Sequence, residues 1–243
     1  MKKRLLIICV TALSIFFTSC NYRNEQLLAK RIQHMEKASG NPTSIEDIRK
    51  AISQYDEDAV ELANKNGQIG IWYKILGTRY IDKKMYGEAL KCFQKALEYY
   101  PDNENLYYYV GVCAGYLSHS ALDFEARGDT SKKENYLRLA EESYKRAIAI
   151  YDRYANPLYA IGILYIFELD EPEKAIPYLE QYLTIEKRSI DGMMVLARAY
   201  YSTEQFDKAV DLYDKVISLT KSADKKAQAE ANKKVVLDAS YSN

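Results

Sequence analysis

At 243 residues with 48% hydrophobic side chains, the chain is long enough for one ordinary domain or a single solenoid, and too apolar to stay disordered. Ten Gly and five Pro are too few for the many tight turns of an all-β protein. The 34 basic residues balance 34 acidic ones, so no concentrated basic surface exists to hold nucleic acid. Tyr, at 23 against six Phe, suits many short helices that each keep a rim near water, the ring filling a groove while the hydroxyl reaches solvent.

The chain opens on a basic run, Lys2, Lys3 and Arg4, then an apolar stretch from Leu5 to Phe17. That stretch has signal-peptide length and is too short to span a bilayer comfortably. Phe17-Thr18-Ser19-Cys20 follows and resembles the lipobox of bacterial lipoproteins, with Phe17 where Leu is usual. The resemblance implies that residues 1–19 are removed and that the Cys20 thiol carries a diacylglycerol as the new N-terminus. It also implies a place in the bacterial cell envelope, membrane-attached through the lipidated Cys20, on the periplasmic side or at the outer membrane. Cleavage would leave three more acidic than basic side chains. Cys9 leaves with the leader; Cys92 and Cys113 remain, too few for a disulfide framework, and are expected as buried free thiols.

Residues 20–42 read as a tether with a weak apolar stripe, Leu27, Leu28, Ile32 and Met35, broken at Gly40-Asn41-Pro42. Thr43 with Glu46 forms a capping box. Ile45, Ile48, Ile52, Tyr55, Ala59 and Leu62 then mark one face of a helix to about Ala63, ended by Asn66-Gly67.

From Gly70 a different pattern begins: Tyr73, Leu76, Gly77 and Tyr80, then Tyr86, Ala89, Phe93, Ala96 and Pro101. Large residues at Tyr73, Leu76 and Tyr80 predict the packing face of a first helix. Gly77 and Ala89 let two helices approach, Phe93 fills the gap, and Pro101 ends the second helix. This resembles the tetratricopeptide-repeat (TPR) signature, with Tyr73 in place of the usual Trp. Three further units follow. The second has Tyr107, Val110 and Gly111, then Ala140, Tyr144 and Ala147. The third has Leu158, Ile161, Gly162 and Tyr165, then Ala175 and Leu179. The fourth has Leu196, Ala197 and Tyr200, then Phe206, Ala209 and Tyr213. The expected fold is all-α, a TPR superhelix of antiparallel hairpins over residues 43–240, with units at about 70–103, 104–153, 155–188 and 190–221. A polar capping helix at 222–240 closes the end.

The second unit is longer than its neighbours. Its first helix continues through Leu117, Ala121 and Phe124, Gly128-Asp129 turns the chain, and Tyr136 and Leu139 face back. In the third unit Asn156-Pro157 predicts an N-cap followed by a proline at the first helical position. Pro177 predicts a mild kink, and Tyr182, at a usually small position, predicts looser packing.

No GxSxG, HExxH, P-loop or GxGxxG occurs, and no Cys/His cluster suggests zinc. Ser118-His119-Ser120 with Asp123 reads as the polar edge of a helix, and His34 stands alone. The expectation is a non-catalytic chain without metal or cofactor. TPR resemblance implies a protein or peptide partner bound in the concave groove of the first helices. The candidate residues lie beside the signature positions: Lys74 in unit one, Tyr108 and Tyr116 in unit two, Tyr159 and Phe167 in unit three, and Arg198 in unit four. Val112, Ile163, Met194 and Ser202 share that register. Together they form an apolar trough with basic ends, suited to an extended apolar segment carrying negative charge; the same positions would equally serve to pack first helices on one another. The Lys and Asn pattern of TPR proteins that clamp a C-terminal carboxylate is missing, since Thr78 follows Lys74 one turn on. Two rival readings remain, an accessory of a solute transporter working with a periplasmic binding protein, and an activator of a cell-wall enzyme. Oligomeric state is not encoded legibly.

Overall fold

A computed structural model describes residues 45–125 and 131–241. Cys20, the tether, the Thr43 cap and the Gly128-Asp129 turn lie outside them. Nine helices make up the described residues: α1 (Ile45–Asp82), α2 (Tyr86–Tyr99), α3 (Glu104–Glu125), α4 (Ser131–Ile150), α5 (Ala155–Phe167), α6 (Pro172–Ile185), α7 (Ile190–Ser202), α8 (Phe206–Leu219) and α9 (Ala223–Ser240). The chain divides into two units, 1–62 and 63–243. Of the first, the described part is the start of α1, where Val60 and Leu62 are exposed.

The expected end at Asn66-Gly67 is corrected, because α1 runs on to Asp82. A mid-helix Gly costs about 1 kcal/mol relative to Ala, and here close contact explains it. Tyr100 donates its hydroxyl to the Gly67 carbonyl at 2.8 Å, and a Cβ on Gly70 would sit 2.6 Å from the Tyr100 ring. Gly67, read as a helix stop, and Gly70, read as the start of the first unit, are the bed on which Tyr99 and Tyr100 lie.

From there the helices pair as hairpins, the end of α1 with α2, then α3 with α4, α5 with α6 and α7 with α8, and α9 packs on α8. Each hairpin closes on a small residue opposite a large one. A Cβ on Gly77 would meet Phe93 at 2.8 Å, one on Gly111 would meet Tyr144 at 2.4 Å, and one on Gly162 would meet Leu179 at 2.5 Å. In the fourth unit Ala197 and Tyr213, both buried, take these places. The turns of units one, three and four share a geometry. Lys84, Asp170 and Glu204 adopt φ of 58°, 53° and 58°, and the next residue's amide reaches back to the carbonyl of Tyr80, Tyr165 or Tyr200 at 2.8–2.9 Å. In unit two's longer hairpin Leu117, Tyr136 and Leu139 pack on the first core, and the last two also on the second; the side chains of Ala121 and Phe124 lie outside the described residues.

Two apolar cores lie along the stack. One is built from Ala89, Phe93 and Ala96 of α2 with Leu106, Val110 and Cys113 of α3. The other starts at Ala114 of α3 and continues through α4 to α9. Hence α3 is a wall common to both. Cys92 and Cys113 are free and buried, as expected, and burial pushes the Cys113 thiol up to about 12.

Three expectations change. Leu76 is 43% exposed, because unit one has no preceding TPR hairpin for that position to pack on. The third unit's first helix starts at Ala155 with Tyr154 as N-cap, so Pro157 is its third residue; it is still among the first four, whose N–H groups have no helical partner. Tyr182 does not loosen the stack: the next helix presents Gly192, whose Cβ would sit 2.5 Å from the ring, and the Tyr182 hydroxyl bonds Ser189 at 3.0 Å. Helix α6 continues through Pro177 to Ile185. The capping helix appears where expected, with Ser222 accepting from the Lys225 amide at 3.3 Å. Lys225 and Lys233 pair with Asp191 at 2.6 Å and Asp214 at 2.7 Å, fastening α9 to α7 and α8.

A recurring tie joins neighbouring units. Tyr165 donates to Glu141 of the preceding unit at 2.7 Å, and Tyr200 donates to Glu180 in the same way. A lysine from the start of each unit's own second helix, Lys174 or Lys208, sits over the tyrosine ring at 5.8 or 5.0 Å.

Candidate functional site

The first helices α3, α5 and α7 touch in sequence, α3 to α5 and α5 to α7, and present one face. Two hollows open on it. The first, about 350 Å³, lies between α3 and α5 and is lined by Tyr108, Val112, Tyr116, Tyr159 and Ile163, with Tyr144 behind. The second, about 390 Å³, lies among α5, α7, α8 and α9 and is lined by Phe167, Met194, Arg198, Tyr213, Asn232 and Val236. Ile163 and Phe167 stand one turn apart on α5, so the same helix serves both hollows.

The aromatic side chains are held in place. Tyr116, half out in solvent, stacks on Tyr86 with centroids 4.1 Å apart and planes 6° from parallel. Tyr108 meets Tyr154 edge-on at 5.6 Å, and the Tyr154 hydroxyl donates to Asn105 at 2.9 Å. Tyr159 tilts against Tyr182 at 5.1 Å. Burial raises Tyr108 and Tyr159 above the ordinary tyrosine value, so both present neutral hydroxyls at neutral pH. At the rim of the first hollow His119 faces Glu168 at 3.3 Å, bridging α3 to the end of α5. In the second, the Arg198 guanidinium lies 4.9 Å above the Phe167 ring. Arg198 makes no ion pair with any described carboxylate.

Five of the six sequence-derived residues thus line these hollows: Tyr108, Tyr116 and Tyr159 the first, Phe167 and Arg198 the second. Lys74 lines neither. Its neighbour Thr78 turns its hydroxyl to the Ile75 carbonyl at 2.7 Å, and Ile81 packs into the first core. Sequence reading missed His119, although it follows Val112 by seven residues and Tyr116 by three and so shares their face. It also missed the stripe Gln228, Asn232, Val235 and Val236 on α9, which lines the second hollow at spacings of four, three and one. That spacing was visible, but the helix had been read only as a cap.

Ser118 is buried and bonds the Gly115 carbonyl at 2.7 Å, while Ser120 bonds the Tyr116 carbonyl at 3.3 Å. Both hydroxyls are therefore engaged along their own helix. Among the described residues no group of three His, Cys, Asp or Glu could hold a metal ion, and no helix is long and apolar enough to cross a membrane.

The stacked hairpins are those of a tetratricopeptide-repeat superhelix, and residues 71–103 and 193–227 match family models for the tetratricopeptide repeat. A TPR repeat-containing protein of Borreliella burgdorferi is 27% identical over 97% of this chain and 96% of its own. Among solved structures the chain is similar to YrrB, described as a TPR protein with an unusual peptide-binding site. That match has TM-score 0.58 and 16% identity, over 75% of this chain and 83% of YrrB. It is also similar to MamA, with TM-score 0.54 and 20% identity, over 71% of this chain and 88% of MamA. At these identities the likeness to the solved structures establishes the fold.

Proposed function

We propose that this chain is a lipid-anchored, non-catalytic scaffold of the cell envelope that binds a protein or peptide partner across the face of α3, α5 and α7. The observation that carries the reading is the register of the aromatic residues. Tyr116, Tyr159 and Phe167 lie beside the signature positions, line open hollows, and are steadied by neighbours. Packing alone would bury them. YrrB, of the same fold, is described as having a peptide-binding site, which supports the peptide class. The basic start, the apolar stretch and Cys20 support the anchor. One acyl chain holds a protein only marginally and two hold it stably, so a Cys20→Ser variant should lose palmitate labelling and leave the membrane fraction or stay unprocessed. Unchanged labelling would remove the anchor from the reading.

The test of the groove is Tyr159→Ala, scored for binding and for stability together. Truncating an interface tyrosine typically costs about 2 kcal/mol, roughly thirtyfold in Kd. We expect that loss in partner capture with a small change in melting temperature. A large melting shift with capture unchanged would mean that Tyr159 is only packing. A transporter accessory is the second reading, because a hollow of about 390 Å³ beside Arg198 has room for a small apolar acid.

A further inference from the structure

We infer that the hollow between the fourth unit and α9 is an acidic-residue subsite, taking a carboxylate and the large apolar side chain next to it from an extended peptide. The inference rests on the peptide-binding reading above and says what part of the partner goes where.

The hollow joins two chemistries. Its floor is apolar, from Met194, Val195 and Val236, and its volume of about 390 Å³ admits one large side chain. On its wall the Arg198 guanidinium sits over the Phe167 ring at 4.9 Å. A guanidinium held against an aromatic ring uses none of its N–H donors on the ring, and its planar fork receives a carboxylate through two parallel hydrogen bonds. No described carboxylate takes that place. The hollow's lining contains no carboxylate. The amides of Gln228 and Asn232 add neutral donors from α9. Charge complementarity therefore favours an anion, and the apolar floor favours a side chain beside it.

A peptide fits better than a lone small acid because of α5. Its Ile163 belongs to the aromatic hollow and its Phe167 to this one, one turn away. An occupant that fills both must be a chain. The site also differs from a clamp on first helices alone, since the capping helix supplies one side of it.

The experiment is a selection of random twelve-residue displayed peptides on the purified protein, repeated on Arg198→Gln and on Tyr159→Ala. We expect enrichment of Asp or Glu directly beside Leu, Ile or Phe. Arg198→Gln should abolish the acidic preference and keep the apolar one, whereas Tyr159→Ala should cut recovery of all peptides. A recovered peptide should bind about tenfold more tightly than its Gln or Asn counterpart in calorimetry, and equally to it on Arg198→Gln. Apolar peptides without acidic preference, or a preference that survives Arg198→Gln, would overturn the subsite and leave the groove standing. Recovery of no peptide would overturn both. Octanoate displacing the peptide at concentrations near the peptide's own Kd would overturn the peptide assignment in favour of a small apolar acid. Circular dichroism of both variants confirms that each is folded.

Discussion

Unit one carries the repeat signature most fully, and it lines neither hollow. Unit three departs from the signature, with Pro177 and Tyr182 in its second helix, and it supplies Tyr159 and Ile163 to one hollow and Phe167 to the other. The difference separates two codes in one helix. Signature residues such as Gly77 and Gly162 face the hairpin partner and set how closely it lies. Residues one position on, such as Thr78 and Ile163, lie about 100° around the helix and are free to vary. Fidelity to the repeat therefore reports on packing and is silent about binding.

The largest effect should come from the packing code of unit one. Phe93 is fully buried against Gly77, so Phe93→Ala should cost about 3–5 kcal/mol in chemical denaturation. It should leave binding of a groove peptide by the folded fraction unchanged. If binding falls in step with stability, unit one is part of the site and the contrast with unit three fails.

A smaller effect should come from the ties that unit three makes to its predecessor. Tyr165→Phe removes a hydrogen bond to the Glu141 carboxylate and should cost about 1.5 kcal/mol. The same contact makes an alkaline prediction. Burial, then the bond to Glu141, lifts Tyr165 from 10.0 to about 12; burial lifts Tyr154 from 10.0 and Cys113 from 9.0 to about 12. Each group holds its proton in the folded chain at a pH where the unfolded chain has released it. Their contribution is thus intact below about pH 9 and is lost as pH rises toward about 12. Urea midpoints measured across that window should fall, and fall less steeply in Tyr165→Phe. A flat profile would show that these three groups titrate alike in the folded and unfolded chain.

The smallest effect concerns the turns. Left-handed backbone is costly for residues with a Cβ, and less so for Asp, whose short side chain bonds locally. Lys84→Gly in unit one should therefore stabilise by about 1 kcal/mol, and Asp170→Gly in unit three by less. Equal gains would mean that the two turns differ only in sequence.

Where a contact joins two positions of the repeat signature, the sequence reveals it. Gly77 with Phe93, Gly111 with Tyr144 and Gly162 with Leu179 were all legible, because each residue holds a recognisable position of the repeat signature, even in the lengthened second unit. Contacts outside the repeat signature were not. Gly67 looked like a helix stop because a local reading prices glycine by its backbone entropy and cannot see Tyr100 arriving from thirty-three positions on. Tyr182 looked misplaced because its compensation, Gly192, belongs to the next unit. The Tyr165 and Tyr200 ties escaped for the same reason. In the hollows, the apolar register on α3 and α5 was legible from its place beside the repeat signature. That Lys74 lines neither hollow and that α9 lines the second were not, since both depend on contacts between units.

The shared wall α3 has a mechanical consequence. Leu106, Val110 and Cys113 lean on the core of the first hairpin, and Ala114 begins the core that runs to α9. A chain stretched from its ends would meet two blocks that share α3, with Tyr136 and Leu139 of α4 also packed on both. Yielding should come in steps, with α2 peeling away while the block from α4 onward still bears load. A force trace with two rips, the later one larger, is the signature expected of that construction.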